Sequence, residues 1–239
     1  MKQEEISGFY DEYVQRQLKI GANERLISLY KRLLNLGLKE NSKVLELGCG
    51  VGIFTKLLVK KVSKGVVEAV DLSGKSVAVA KQELKNKKNV HLDVADVVKY
   101  QPKNSAIDFI TLMDVIEHIP LEQHGELFGN LAHICTEQTR IAINIPNPQY
   151  ISYTRVHHPE TLQFIDQEVE LFPLMQHLEK HDLELVFFEK YSIWEEEDYH
   201  FMVLRKKRKF ELKHRADQRN IPEKIAKKVS VKIDGIKYR

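Results

Sequence analysis

The amino-acid sequence predicts an α/β protein with a seven-stranded, mostly parallel sheet and helices on both of its faces. First, short apolar runs alternate with segments of helical spacing between residues 41 and 181. Second, a glycine-rich turn, GCGVG, directly follows the first of these runs. Third, two apolar runs near residue 200 are separated only by EEED, which predicts a hairpin with an antiparallel strand at the end of the strand order.

Each element follows from the spacing of the apolar residues along the chain. Two N-terminal helices come first, with a turn between them at GAN, residues 21–23. Four further helices are expected within residues 53–62, 76–88, 122–135 and 167–181. Seven strands are expected within residues 41–47, 65–72, 89–96, 106–115, 139–146, 183–194 and 199–207. Helices of this length follow the first, second and fourth strands. We therefore expect right-handed crossovers and parallel pairing among the first five strands.

Length and composition indicate a soluble globular protein. The chain has 239 residues, of which 43% are hydrophobic and 30% are charged. No apolar run approaches the roughly 18 residues of a membrane span, and the acidic N-terminus has no apolar signal-peptide core. The two cysteines form neither a disulfide framework nor a cysteine-rich zinc site, and no metal is expected. These features predict a cytoplasmic location.

The charge is unevenly distributed. Residues 205–239 carry 14 Lys and Arg against four Asp and Glu, while residues 1–204 have a net charge of −7. An acidic body argues against a nucleic-acid surface across the whole protein. We therefore expect three parts: N-terminal lid helices at 1–40, a core at 41–207 and a basic C-terminal extension at 208–239.

The glycine-rich turn predicts a ligand site where the first strand ends. A dinucleotide-binding turn reads G-x-G-x-x-G, but Gly48, Gly50 and Gly52 are spaced G-x-G-x-G, and Ile53 occupies the third dinucleotide position. Glu46 precedes the glycines by two residues. Its carboxylate would repel a pyrophosphate and attract a ligand with an ammonium group.

An acidic residue followed by G-x-G-x-G resembles the first motif of class I S-adenosylmethionine-dependent methyltransferases. The resemblance implies a Rossmann-like fold and S-adenosylmethionine as the cofactor. It also implies that Gly48, Cys49 and Gly50 pass close to the methionine and ribose, with Glu46 near the methionine amino group. A tight turn without a ligand is the structural alternative.

The same resemblance assigns the ends of the next three strands. Asp71, 21 residues after Gly50, would accept hydrogen bonds from the ribose hydroxyls, with Leu72 beside it. Asp96 would bind the adenine amino group next to Val97, although Asp93 is a competing carboxylate.

The fourth strand ends in DVIEHI, which resembles many small-molecule methyltransferases, including the ubiquinone-biosynthesis type. Asp114 and Val115 would then lie beside the methionine and the sulfonium.

The N-terminal helices are expected to act as a lid. Their sequence resembles the opening of bacterial methyltransferases that are encoded with polysaccharide-assembly enzymes. Tyr10 and Tyr13 are three residues apart and share one helix face, so they could close over the cofactor and the substrate respectively. Ordinary helix packing explains the two tyrosines equally well.

The acceptor side needs a base if a hydroxyl is methylated, and histidine suits this role best. His118 follows the fourth strand and is the first candidate, while His157 and His158 lie in the segment after the fifth strand. Asp166 and Gln167 are candidates for binding substrate hydroxyls. For each histidine, a hydrogen-bonded structural role or a surface position is the alternative.

The substrate class follows from what the fourth strand lacks. Enzymes that methylate bases carry N-P-P-Y or D-P-P-Y directly after it, whereas NPQY here follows the fifth strand. We therefore expect O- or N-methylation of a small molecule or glycan, with O-methylation favoured. The alternatives are an RNA methyltransferase that uses the basic extension and an inactive partner subunit. A homo-oligomer and a peripheral contact of the extension with an anionic membrane surface are further expectations.

Overall fold

The computed structural model describes residues 18–162 and 165–209, and it contains the expected seven-stranded sheet. The strand order is β3-β2-β1-β4-β5-β7-β6. The strands are β1 (Lys43–Leu47), β2 (Val66–Asp71), β3 (Val90–Val94), β4 (Phe109–Met113), β5 (Arg140–Pro146), β6 (Leu183–Tyr191) and β7 (Tyr199–Lys206). β1 to β5 pair in parallel, and β7 is antiparallel to both of its neighbours. The predicted fold class is confirmed.

Helices cover both faces of the sheet, and six of them lie entirely within the described residues. They are α1 (Glu24–Asn35), α2 (Ile53–Lys61), α3 (Gly74–Glu83), α4 (His124–Ile134), α5 (Pro148–His157) and α6 (Leu171–Lys180). Short 3-10 turns occupy Ile116–His118, Leu121–Gln123 and Pro159–Thr161. Alternate residues of β1 enter different cores, because strand side chains alternate between faces: Leu45 and Leu47 join one cluster and Val44 the other.

The C-terminal hairpin forms as predicted, but its antiparallel strand does not lie at the end of the strand order. β7 is inserted between β5 and β6, which makes β6 the edge strand. Burial explains this arrangement. Six consecutive residues of β7 are buried, as in a strand covered on both faces, whereas Val186 and Phe187 of β6 are exposed.

The segment after β5 contains a helix that the apolar spacing did not predict. Asn147 caps α5 through a hydrogen bond from the Gln149 N–H to its Oδ1 (3.0 Å), and Pro148 occupies the first helical position. The NPQY sequence therefore forms the beginning of α5, after the fifth strand.

Several sequence-based expectations concern residues outside the described ranges. Tyr10 and Tyr13 precede residue 18, and most of the basic extension follows residue 209. The domain boundaries, the lid and the role of the extension therefore stay predictions. Within the described ranges, no helix combines the length and the apolar character that crossing a membrane requires.

Candidate active site

The glycine turn between β1 and α2 is held against β2. The N–H groups of Gly48 and Cys49 both donate to the carbonyl of Val70, at 2.8 and 2.9 Å. Gly48 has a φ of +81°, and a β-carbon there would lie 2.3 Å from Cγ2 of Val115. Only glycine fits, both because of the left-handed backbone and because Val115 occupies the space of a side chain. The turn and the end of β4 therefore form one packed unit.

Glu46 is an almost fully buried carboxyl within β1. Its side chain is only 3% exposed, and Oε2 has no hydrogen-bond partner among the described residues. Burial, with a further contribution from the charge of Asp71, raises the pKa of Glu46 to about 8. A buried polar atom without a partner is energetically unfavourable and suits a ligand that donates hydrogen bonds or carries positive charge.

Asp71, the last residue of β2, bridges the glycine turn and the start of α3. Its Oδ2 accepts from the Gly50 N–H at 2.8 Å, and its Oδ1 accepts from the Ser73 N–H at 2.9 Å. The N-cap of α3 is Ser73 rather than Asp71. Because a carboxylate offers about four acceptor positions, Asp71 retains capacity for two ligand hydroxyls. Leu72 beside it is 74% exposed and presents an apolar surface at this edge.

The two carboxylates near the end of β3 have different surroundings. Asp93 is paired with Lys103 at 2.6 Å and also contacts the hydroxyl of Tyr100. Asp96 follows the strand, is exposed, and accepts the Val98 N–H through Oδ1 at 2.9 Å. Val97 is buried beside it. These surroundings favour Asp96 over Asp93 as a ligand-binding carboxylate.

Asp114, directly after β4, is held by two other elements. It has a φ of +56°, its Oδ2 lies 2.5 Å from Nη1 of Arg25 in α1, and its Oδ1 accepts from Nδ2 of Asn144 at 2.7 Å. Tyr191 continues the network by donating to Oδ1 of Asn144 at 2.6 Å, and Arg25 also donates to the hydroxyl of Tyr199 at 2.9 Å. The carboxylate of Asp114 is thus fixed in place, and α1 is attached to the carboxyl edge of the sheet.

Sequence reasoning did not identify Arg25 as a site residue. It was one of several charged positions on a predicted helix, and Asp114 is 89 residues away in the sequence. The nearby carboxylate raises the pKa of Arg25 despite the opposing effect of burial, and its guanidinium lies 5.6 Å from the centroid of the Trp194 ring. No local pattern signals this pairing.

His118 lies in the 3-10 turn after β4 and contacts a segment that is distant in the sequence. Its Nδ1 lies 2.9 Å from the carbonyl oxygen of Ile165 and 3.0 Å from Oδ1 of Asp166. Burial opposes protonation, but the Asp166 hydrogen bond and the nearby Glu117 outweigh it and raise the pKa of His118 to about 9. Glu117 is itself buried, and burial raises its pKa to about 8. The structure therefore places Asp166 against His118.

The other acceptor-side candidates differ in their surroundings. The side-chain amide of Gln167 donates to the Ile119 carbonyl at 2.6 Å and accepts the Leu121 N–H at 3.3 Å. These bonds give Gln167 a structural role and leave its predicted substrate role untested. His157 and His158 are exposed at the end of α5, and the His157 ring lies 4.2 Å from that of Tyr153.

Among the described residues, no group of three or more His, Cys, Asp or Glu side chains is arranged to hold a metal ion. Both cysteines, Cys49 and Cys135, are buried free thiols. The strand ends therefore present carboxylates, glycine backbone and one imidazole.

Comparison with protein families identifies the family of the chain. A family model described as a methyltransferase domain matches residues 10–191. The chain belongs to this methyltransferase family. Its fold is that of class I S-adenosylmethionine-dependent methyltransferases, which the acidic residue and the G-x-G-x-G turn implied.

Curated methyltransferases resemble parts of this chain. One is malonyl-[acyl-carrier protein] O-methyltransferase 1 of Ilyobacter polytropus, 33% identical over 94 residues, which are 39% of this chain and 32% of that protein. Another is trans-aconitate 2-methyltransferase of Mycobacterium ulcerans, 25% identical over 125 residues, which are 52% of this chain and 44% of that protein. The chain thus matches a third to a half of the length of these relatives.

Solved structures show the same fold. The methyltransferase domain of bacterial CtHen1-C has a TM-score of 0.61 and 22% identity, and the match covers 77% of this methyltransferase and 98% of that chain. Magnesium protoporphyrin IX methyltransferase from Synechocystis PCC 6803, solved with bound S-adenosylhomocysteine, has a TM-score of 0.62 and 17% identity, with 81% and 87% covered. At these identities the likeness establishes the Rossmann-like methyltransferase architecture.

The residues of this methyltransferase fit the cofactor. The buried Oε2 of Glu46 suits the ammonium group, the side-chain-free surface of the glycine turn suits a close ligand, and Asp71 retains acceptors for two hydroxyls. Leu72 is exposed beside Asp71, and Asp96 is exposed at the position that would bind the adenine amino group. The individual roles of these residues stay predictions.

Proposed function

We propose that this methyltransferase methylates an oxygen atom of a small molecule, with a sugar hydroxyl of a glycan precursor as one such acceptor. The observation that carries the proposal is His118, a partly exposed imidazole held in a fixed orientation five residues after β4. A hydroxyl is a weak nucleophile and gains from a positioned base, whereas a neutral amine needs none.

Two further findings support a small acceptor. The end of β4 reads DVIEHI and lacks the N-P-P-Y type sequence that clamps a planar amino group, and NPQY begins α5 instead. The names of two relatives, malonyl-[acyl-carrier protein] O-methyltransferase and trans-aconitate 2-methyltransferase, refer to small or carrier-bound acids. By analogy, a carboxylate oxygen is a second kind of acceptor for this chain.

The parts of the site then have separate roles. When bound, S-adenosylmethionine supplies a methyl group, and its sulfur retains the electron pair of the broken bond. Glu46 would hold the methionine end of the cofactor, Asp71 its ribose and Asp96 its adenine end. Val115 supports the glycine turn beneath it. His118 would face the acceptor. The contribution of the protein is mainly alignment and exclusion of water.

The experiment is methyl transfer from isotopically labelled S-adenosylmethionine to a panel of sugars, carboxylic acids, amines and RNA. Mild alkaline hydrolysis distinguishes the products, because methyl esters are cleaved while methyl ethers and methylamines survive. Label in an ether or ester supports the proposal. Label confined to amines or RNA contradicts it, and RNA label would favour the alternative suggested by the similarity to ribosomal RNA small subunit methyltransferase A of Syntrophus aciditrophicus.

We also propose that the basic extension contacts an anionic membrane surface, since residues 208–239 carry 11 Lys and Arg against four Asp and Glu, a net charge of +7. Vesicles with and without anionic lipid would be co-sedimented with the full chain and with a chain that ends at Lys207. Salt-sensitive binding by the full chain alone supports the idea, and absent or salt-insensitive binding contradicts it. Light scattering of the same samples tests the expected homo-oligomer.

A further inference from the structure

The contacts of His118 specify which of its two ring nitrogens carries the proton in the neutral form. Nδ1 lies 2.9 Å from the carbonyl oxygen of Ile165, and a backbone carbonyl can only accept a hydrogen bond. Nδ1 is also 3.0 Å from Oδ1 of Asp166. Both distances lie in the hydrogen-bond range, so the hydrogen belongs on Nδ1.

The opposite side of the ring is different. Nε2 lies 4.0 Å from Oε1 of Glu117, which is beyond hydrogen-bond length. Asp166 is therefore the carboxyl group within hydrogen-bond length of the ring, and it acts at Nδ1.

The segment that carries Asp166 is fastened from two directions. From the turn after β4, the Glu117 carbonyl accepts the backbone N–H of Gln167 at 2.9 Å, and the Gln167 side chain bonds the backbone of the same region. From α5, Arg155 donates to the backbone carbonyl of Asp166 at 2.5 Å and pairs with Glu168. The orientation of His118 thus depends on anchored residues and does not rest on one exposed side chain.

We propose that Asp166 is the positioning residue of a His118–Asp166 dyad, in which Nδ1–H is held by Asp166 and Ile165 and Nε2 faces the acceptor. This inference rests on the proposed O-methylation. The step uses the neutral ring, which forms above the His118 pKa of about 9. As the acceptor oxygen forms its bond to the methyl group, its hydroxyl proton passes to Nε2, and the ring becomes an imidazolium that Asp166 stabilises. In this arrangement the carboxylate orients the catalytic imidazole and does not contact the substrate.

Nitrogen-15 NMR of the histidine side chains tests the dyad without any acceptor. In the wild-type chain at high pH, the neutral ring of His118 is expected to carry its hydrogen on Nδ1. Asp166→Asn keeps the shape and the hydrogen-bond acceptor but removes the charge, so the proton dissociation constant of His118 should rise at least tenfold. A hydrogen on Nε2, or an unchanged titration in Asp166→Asn, would overturn the proposal.

Glu160→Gln is the matched control, because it removes a carboxylate beside an exposed histidine, His158, at 3.7 Å. It should leave the titration of His118 unchanged. If Asp166→Asn folds poorly by circular dichroism, Gln167→Ala provides the second variant. Loss of the hydrogen bonds of the Gln167 side chain should loosen the segment that carries Asp166 and lower the pKa of His118, as Asp166→Asn does. An unchanged titration of His118 in Gln167→Ala would also count against the dyad.

Kinetics with an accepted hydroxyl substrate complete the test. Asp166→Asn should lower kcat at high pH, leave KM for S-adenosylmethionine unchanged, and move the rising limb of the pH–rate profile to lower pH. A purely structural role would lower activity at all pH values without moving the limb. Should neither a hydroxyl nor a carboxylate be methylated, the proposed function fails, while the NMR result still decides whether the dyad is present.

Discussion

Val115 occupies the volume that a side chain at residue 48 would need, with its Cγ2 2.3 Å from the position of a β-carbon on Gly48. The second residue after β4 therefore determines which residue can follow β1, although 67 positions separate them in the sequence. The glycine serves the packing of the protein as well as the approach of a ligand.

Gly48→Ala should destabilise the fold by about 3 kcal/mol, because strain at positive φ adds to overpacking against Val115. Gly21→Ala is the control: its φ is +64°, but no atom of residues 18–162 or 165–209 lies within 4 Å of its β-carbon position, so only about 1 kcal/mol is expected. Urea unfolding measures both. In Gly48→Ala/Val115→Ala the two effects should be less than additive, and strict additivity would show that Val115 is not the obstacle.

Asp71→Ala should weaken S-adenosylmethionine binding about 5- to 150-fold, since two ribose hydrogen bonds of 1–3 kcal/mol in total are lost. The variant also loses the acceptor of the Gly50 N–H, so its folding should be checked by thermal unfolding. Calorimetry with the cofactor and with NAD measures the effect. Asp93→Ala, which removes a carboxylate paired with Lys103, should bind the cofactor normally. Equal losses of cofactor affinity in Asp71→Ala and Asp93→Ala would be evidence against the assignment of Asp71 to the ribose.

Cofactor affinity should increase with pH between about 6 and 8. Burial raises the pKa of Glu46 to about 8, so the carboxyl is largely protonated at pH 7, whereas the cofactor ammonium favours the carboxylate. Binding must then release a proton, and the affinity should rise up to tenfold per pH unit below about 8 and fall above it, where the ammonium of the free cofactor loses its proton. Calorimetry in buffers of different ionisation enthalpy counts the proton. Glu46→Gln retains only the titration of the cofactor itself, and an unchanged pH dependence in this variant would refute the role of Glu46.

Arg25→Ala should lower the free energy of unfolding by about 2 kcal/mol, because it leaves the partly buried Asp114 carboxylate without its cation. Urea unfolding provides the measurement. Asp114→Asn in the same background should recover part of the loss, since the unpaired charge is removed. The exposed Lys64–Glu40 pair supplies the control, and Lys64→Ala should match the wild type. An Arg25→Ala chain as stable as wild type would show that this pair does not anchor α1.

The sequence was sufficient for the fold class because local signals mark every strand and the glycine turn. The spacing of Gly48, Gly50 and Gly52 and the position of Glu46 distinguished the correct cofactor class from dinucleotides. The insertion of β7 could not be predicted, since strand order depends on which edges remain open after the first five strands pair. The only hint in the sequence was the unbroken apolar run FMVL at residues 201–204, which is typical of a strand buried on both faces.

The contacts around the acceptor side were beyond prediction for a related reason. Asp166 was assigned to the substrate because it lies on the correct side of the fold, but its partner His118 is 48 residues away and no periodicity connects them. The same holds for Arg25 and Asp114. Ionic pairs between elements leave no pattern in the sequence, whereas strands, caps and glycine turns do.

The inserted position of β7 has a consequence for how the chain acquires its structure. β6 is made before β7, yet among the described strands β7 is its one neighbour in the sheet, so β6 cannot join the sheet until β7 arrives. The contact between β5 and β7 spans about sixty residues and is slow to form for entropic reasons. Until then β5 presents an open edge with exposed apolar residues, a state prone to aggregation. Completion of β7 should therefore be the late, rate-limiting step of folding.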